Sequence, residues 1–177
     1  KNMKKSINGF LVVEGQADKA FLSSFLDCEI VVLGGFAIPH GTITYIKELS
    51  KKCKMLLLCD PDEAGEIIRK RVNDLIPETI NLSLSFSNRK NYKKHGVAES
   101  DKESVLMLLQ PYIGNYNCFT NINLSTLLDI ESKYGCAGLE KISKHFHLGT
   151  TNKKTMIQRL KMLNICSEEV YKLFYGN

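Results

Sequence analysis

The stretch "KMLLLCDPDEAG" (54–65) contains five consecutive apolar residues, 55–59, and then breaks into Asp60 and Asp62, with Glu63 and Gly65 directly behind. An unbroken apolar run of this length reads as a strand buried on both faces, and such strands belong to parallel sheets covered by helices. Core packing gives no reason for two aspartates at the end of that strand.

Working outward, "GFLVV" (9–13) and "EIVVL" (29–33) are runs of the same continuous kind, while "TINLSLS" (79–85) alternates polar and apolar as an edge strand does. Between them "ADKAFLSSFL" (17–26), "GTITYIKELSKK" (41–52) and "EAGEIIRKRVNDLI" (63–76) carry apolar residues at helical spacing. Strands alternating with helices predict an α/β fold of Rossmann type, a four-stranded, mostly parallel sheet with flanking helices. In such a sheet ligands bind beyond the carboxyl ends of the strands. The polar, basic "FSNRKNYKKHG" (86–96) reads as an exposed loop, and "DKESVLMLLQ" (101–110) as a helix capped by Ser100 or Asp101. Pro111 ends that helix and "YIGNYNCFTN" (112–121) reads as a linker. From Asn123 onward "LSTLLDIESKYG" (124–135), "AGLEKISKHFHLG" (137–149), "NKKTMIQRLKMLNI" (152–165) and "SEEVYKLFYG" (167–176) are helical throughout. The expected division is an α/β domain over 1–115 and a small all-helical domain over 116–177.

With 177 residues, 44% of them hydrophobic, the chain has enough apolar material for a real core. No run approaches the roughly 18 to 20 apolar residues of a membrane span, and the start is too short in its apolar part for a signal peptide. The expectation is a soluble, cytoplasmic protein without a membrane partner. Cys28, Cys53, Cys59, Cys118, Cys136 and Cys166 form no CxxC pair, so neither a zinc site nor a disulfide framework is signalled. In "HFH" the two histidines, His145 and His147, do not share a helix face, which argues against a metal there.

Net charge is +5, and its distribution says more than its size. Arg69, Lys70, Arg71, Arg89, Lys90, Lys93, Lys94 and His95 form one basic zone; Lys133, Lys141, Lys144, Lys153, Lys154, Arg159 and Lys161 form another. Two such zones suit a polyanion such as nucleic acid, because each phosphate contact releases counterions. Two solvated faces would read the same way.

Three carboxylates fall at one edge of the expected sheet: Glu14 after the first strand, Asp60 after the third, and Asp62 two residues on. In extended backbone residues i and i+2 point the same way, so Asp60 and Asp62 converge on one hard cation, Mg²⁺ or Mn²⁺. Glu14 either completes the metal site or serves as a general acid/base in phosphodiester chemistry. The competing reading makes Asp60-Pro61-Asp62 a turn whose second aspartate caps the helix starting near Glu63.

"LVVEGQADKAFL" (11–22) and "LLLCDPDEAGEIIRKRV" (57–72) resemble the two halves of the Toprim signature, a strand ending in Glu-Gly and a later strand ending in Asp-x-Asp before a Gly-containing helix. Within that superfamily "LGGFAIPHGTITYIKEL" (33–49), "KKHGVAESDKESVLMLL" (93–109) and "TMIQRLKMLNICSEEVYKLF" (155–174) are similar to segments of the small ribonuclease family called M-five, which matures 5S ribosomal RNA. The likeness runs over nearly the whole chain. It implies a Toprim catalytic domain that hydrolyses phosphodiester bonds in structured, double-helical precursor RNA, with Glu14 as general acid/base and Asp60 and Asp62 as ligands of one or two Mg²⁺ ions. That family shows an acidic residue directly after Gly-Val; here Ala98 stands there and Glu99 follows, so either Glu99 takes its place as a further metal ligand or that contribution is missing. The resemblance also assigns Arg89, Lys90, Lys93, Lys94 and His95 to the RNA backbone beside the cut. Lys153, Lys154 and Arg159 of the helical domain would hold the RNA or the ribosomal protein bound to it. Two rivals stand beside this reading: a DNA-acting Toprim nuclease, and a non-catalytic RNA-binding or ribosome-assembly module.

Overall fold

A computed structural model describes residues 3–84 and 97–176, the side chain of Glu99 excepted. The strands β1 (Lys5–Ser6), β2 (Phe10–Val13), β3 (Leu26–Asp27), β4 (Ile30–Val32), β5 (Met55–Leu58) and β6 (Ile80–Leu82) alternate with α1 (Gln16–Ser23), α2 (His40–Ser50) and α3 (Glu63–Leu75). Helices α4 (Lys102–Leu109), α5 (Leu124–His145), α6 (Lys153–Met162) and α7 (Ser167–Tyr175) follow. The main sheet has the order β4-β2-β5-β6 and is parallel throughout. Both central strands are buried at every residue, which is why their sequences run apolar without alternation. The alternating stretch becomes β6, an edge strand.

The residues cluster into two compact units. One comprises Lys1–Pro39 and Cys53–Tyr116, the other His40–Lys52 and Asn117–Asn177. In the first, Leu11, Val13, Leu56 and Leu58 of the sheet join Leu22 of α1 and Val105 and Leu109 of α4 in one buried cluster. A two-stranded parallel ribbon of β1 and β3, and an antiparallel bridge between Ile7 and Ile113, belong to the same unit. Two-residue strands carry no periodicity, so nothing in the sequence announces them.

In the second unit α2 clusters with the C-terminal helices. Lys52 donates to the carbonyl of Leu163 at 2.7 Å, and the Arg159 guanidinium lies 4.2 Å from the centre of the Tyr45 ring. The two helices expected over 124–135 and 137–149 are both present within α5, meeting at Gly135, whose backbone (φ 64°, ψ −158°) is not helical. Leu127, Ile130, Leu139, Ile142, Met156, Leu160 and Val170 are all buried in this unit. Among the described residues no helix is long and apolar enough to cross a membrane.

Register sets the level of the carboxyl edge. Val13 pairs with both Val32 and Leu58, and Leu58 with Leu82. All four strands therefore end at the same height, and the residues that follow β2 and β5 emerge side by side.

Candidate active site

Glu14 is the first residue past β2 and Asp60 the second past β5, so parallel pairing alone brings them to one edge. The backbone N–H of Asp60 donates to Glu14 Oε1 at 2.9 Å. Asp60 Oδ1 in turn accepts the N–H of Val97 at 2.7 Å. Asp62 has extended backbone (φ −126°, ψ 177°) and is the N-cap of α3, its Oδ1 accepting the N–H of Gly65 at 2.7 Å. The capping reading of Asp62 is thus true as far as one oxygen goes, and a carboxylate has two. Gly65 is held to glycine by crowding: a Cβ there would sit 2.0 Å from the Asp60 carbonyl oxygen and 3.1 Å from Glu14 Oε1. The first turn of α3 is packed directly onto the two acids.

A fourth carboxylate, Asp18, completes the cluster. It lies at the third position of α1, is 8% exposed, and accepts the N–H of Gly15 at 3.0 Å and that of Ala98 at 3.2 Å. Its signal in the sequence is the Gly15-x-x-Asp18 spacing of a helix start. The short 3-10 turn Val97–Glu99 thereby clamps the site from its backbone, through Val97 to Asp60 and through Ala98 to Asp18. At position 98 the chain contributes an N–H group, whatever its side chain.

Among the described residues Glu14, Asp60 and Asp18 each accept a backbone N–H, and burial shows in the titration of Glu14 and Asp60. Burial, followed by repulsion from Glu14, Asp18 and Asp62, raises Asp60 to about 6 against the opposing Val97 hydrogen bond. Glu14 is raised for the same reasons, burial first and then Asp62 and Asp18, opposed by the Asp60 hydrogen bond. Cys59 lies between them in sequence and bonds to Glu14; burial and the Glu14 charge push its thiol up to about 12, which favours the neutral thiol.

Among the described residues no three histidine, cysteine, aspartate or glutamate side chains are already gathered as a cage for a metal ion. The donor chemistry nevertheless fits a small hard cation. Mg²⁺ keeps several waters and is bound through one or two carboxylates together with substrate phosphate, not by an all-protein cage. A half-buried group of carboxylates in mutual repulsion is what such an ion relieves.

The expected site residues fall into three groups. Glu14, Asp60 and Asp62 come together as described. Arg89, Lys90, Lys93, Lys94 and His95 lie outside the described residues, as does the Glu99 side chain. In the helical unit Lys153 pairs with Glu131 at 2.7 Å, Lys154 is exposed, and Arg159 donates to the Leu148 carbonyl with its guanidinium over Tyr45.

Residues 10–86 match the Toprim domain, the segment that contains Glu14, Asp60 and Asp62. The chain is 29% identical over 170 residues to "Ribonuclease M5" of Mycoplasma genitalium, covering 94% of each protein. To "Ribonuclease M5" of Bacillus cereus it is 27% identical over 175 residues, covering 94% of this chain and 93% of that protein. Among solved structures, a small Toprim domain protein from Bacillus stearothermophilus aligns with a TM-score of 0.47 at 21% identity, over 59% of this chain and 85% of that one. Residues 10–86, which carry the acid cluster, thus match a Toprim domain, and the chain is similar nearly end to end to proteins named ribonuclease M5.

Proposed function

We propose that this chain is a Mg²⁺-dependent endoribonuclease that hydrolyses phosphodiester bonds in structured, double-helical precursor RNA, and that its substrate is the 5S ribosomal RNA precursor. The observation that carries this reading is the acid cluster, in which Glu14 and Asp60 stand in hydrogen-bond contact beside Asp62 at the edge where a parallel sheet binds ligands. Its relatives supply the class of reaction, an endoribonuclease; the residues supply the division of labour.

Asp60 and Asp62 would hold Mg²⁺, with Glu99 as a further carboxylate. Bound there, the ion neutralises charge that develops on the phosphate in the transition state. In hydrolysis a water oxygen bonds to phosphorus as the P–O bond to the leaving ribose oxygen breaks; Glu14, raised above its ordinary value, would take the water's proton or give one to that leaving oxygen through Oε2, the oxygen not fixed by the Asp60 N–H. That same N–H holds the carboxyl in place, so the acid is oriented before substrate arrives. Arg89, Lys90, Lys93, Lys94 and His95 would grip the RNA backbone, where an A-form duplex is read by shape, phosphates and 2′-hydroxyls. Lys153 and Lys154 would present the helical unit to the RNA or to its ribosomal protein, with Arg159 shaping that face from within. The setting is the cytoplasm.

The test is cleavage of a 5S ribosomal RNA precursor and of a matched DNA duplex, with and without Mg²⁺ and the ribosomal protein, by wild type and Asp60→Asn. Discrete cuts in the RNA alone that need Mg²⁺ and vanish in the variant are expected. Equal cutting of DNA would move the substrate class, and tight RNA binding without cleavage in any condition would overturn catalysis.

A further inference from the structure

Asp18 divides its two carboxylate oxygens between two distant segments of the chain. Its Oδ2 accepts the N–H of Gly15 at 3.0 Å, and its Oδ1 accepts that of Ala98 at 3.2 Å. The start of α1 asks for the first bond and has no use for the second, since one oxygen answers one orphan N–H. The side chain is 8% exposed, so this carboxylate is held largely out of water, which an ordinary exposed cap is not.

What the two amides adjoin gives the second bond its meaning. The Gly15 N–H lies in the planar peptide unit that begins at the Glu14 Cα, so fixing it fixes the backbone from which Glu14 projects. Ala98 follows Val97, whose N–H donates to Asp60 Oδ1 at 2.7 Å. In a 3-10 turn of three residues the N–H groups of Val97 and Ala98 are not aimed independently, so the Ala98 bond also sets the donor that holds Asp60. The Asp60 N–H then returns to Glu14 Oε1 at 2.9 Å and closes a circuit through Asp18, within one compact unit. With both oxygens accepting an N–H, Asp18 is placed to aim the carboxylates on either side of it.

We propose that Asp18 is a positioning residue for the cleavage reaction: it fixes Glu14 through the Gly15 N–H and Asp60 through the turn Val97–Glu99, and does not itself hold Mg²⁺. This rests on the RNA-cleaving reading above. Groups one step removed from metal ligands are worth about 10- to 100-fold in metal affinity or activity. A change at Asp18 therefore moves metal affinity and kcat together and leaves RNA binding alone.

The experiment compares wild type with Asp18→Asn and Asp18→Glu. The asparagine amide nitrogen cannot accept an N–H, so one bridge is lost; glutamate keeps the charge and displaces both bridges by a methylene. Mn²⁺ affinity is measured by calorimetry without RNA, the number of waters left on bound Mn²⁺ by water-proton relaxation, and kcat and KM on precursor RNA with Mg²⁺. Both variants are expected to lose about 10- to 100-fold in Mn²⁺ affinity and in kcat, with KM within about twofold of wild type and the water number unchanged. An added water on Mn²⁺ in the variants would make Asp18 a ligand. Asp18→Glu matching wild type where Asp18→Asn fails would leave Asp18 only its charge. Wild-type affinity and kcat with a lowered thermal midpoint would leave it only the helix cap. Each of these three results overturns the proposal. Should neither variant fold, amide exchange in wild type decides. Mg²⁺ at about ten times its Kd is expected to slow exchange of the Gly15 and Ala98 N–H groups about 5- to 10-fold, and unchanged exchange would overturn the positioning role. A wild type that binds no divalent ion sinks the nuclease reading and this one together, whereas variants that bind Mn²⁺ as tightly as a binding wild type sink this one alone.

Discussion

At the carboxyl ends of β2 and β5, Glu14, Asp18, Asp60 and Asp62 repel one another and are restrained by backbone N–H groups. In the helical unit charge is matched instead: Lys153 meets Glu131 at 2.7 Å, Lys133 meets Asp129 at 3.1 Å, and the Arg159 guanidinium rests over Tyr45. Paired charges and a cation on a ring are what folding alone selects, since each relieves its partner. Like charges gathered at a strand edge oppose folding. Their retention has to be explained by something they bind or do.

Glu14→Gln tests that distinction most sharply. The amide oxygen of glutamine still accepts the Asp60 N–H, so the fold stays intact, while the proton chemistry at Oε2 is gone. Cleavage of precursor RNA should fall about 10²- to 10⁴-fold with an unchanged circular dichroism spectrum. Activity within a factor of two of wild type would return the crowded edge to a structural role and erase the contrast.

The matching test in the helical unit is Arg159→Met, which keeps length and apolar bulk and removes the charge. It forfeits the bond to the Leu148 carbonyl and the contact with Tyr45. Stability should drop by about 1–3 kcal/mol, read as a fall in thermal midpoint of several degrees. A variant as stable as wild type but weakened in RNA binding would mean that this arginine serves the surface rather than the interior.

How far the sequence reaches follows the same line. Glu14 and Asp60 are legible because a buried parallel strand announces its own end, and pairing fixes which ends are neighbours. Asp18 is not, because its importance comes from Ala98, eighty positions later, returning to donate an N–H. The direction of Arg159 is equally hidden: a basic residue in an amphipathic helix is the same letter whether it faces water or a tyrosine 114 positions earlier. Nor does the chain order show that α2, flanked by two strands of the sheet, clusters with the C-terminal helices. What the sequence carries is local period and strand-end chemistry, and what it conceals are contacts made by long returns of the chain.

The smallest effect probes the energetics of the crowded edge itself. Asp60 is raised from 3.8 to about 6, and Glu14 is raised as well, so between about pH 4 and pH 6 the folded protein holds protons that the unfolded chain has released. Stability of the metal-free protein should therefore decrease as pH rises through that window and level off above it. This is the reverse of what an aspartate paired with a cation would give. With Asp60 only half-buried, solvent screening limits the change to the order of 1 kcal/mol, about 2–4 °C in thermal midpoint. Asp60→Asn removes the larger part of this dependence, so the informative quantity is the difference between the two proteins across pH, which cancels the titration of every other group. At pH 7.5 wild type should regain the lost stability on addition of Mg²⁺ while Asp60→Asn gains less, because a cation relieves only charges that are present. A flat difference across pH, with equal responses to Mg²⁺, would mean that the four acids are neutralised by something other than a metal, and the edge would then be no different in kind from the paired charges of the helical unit.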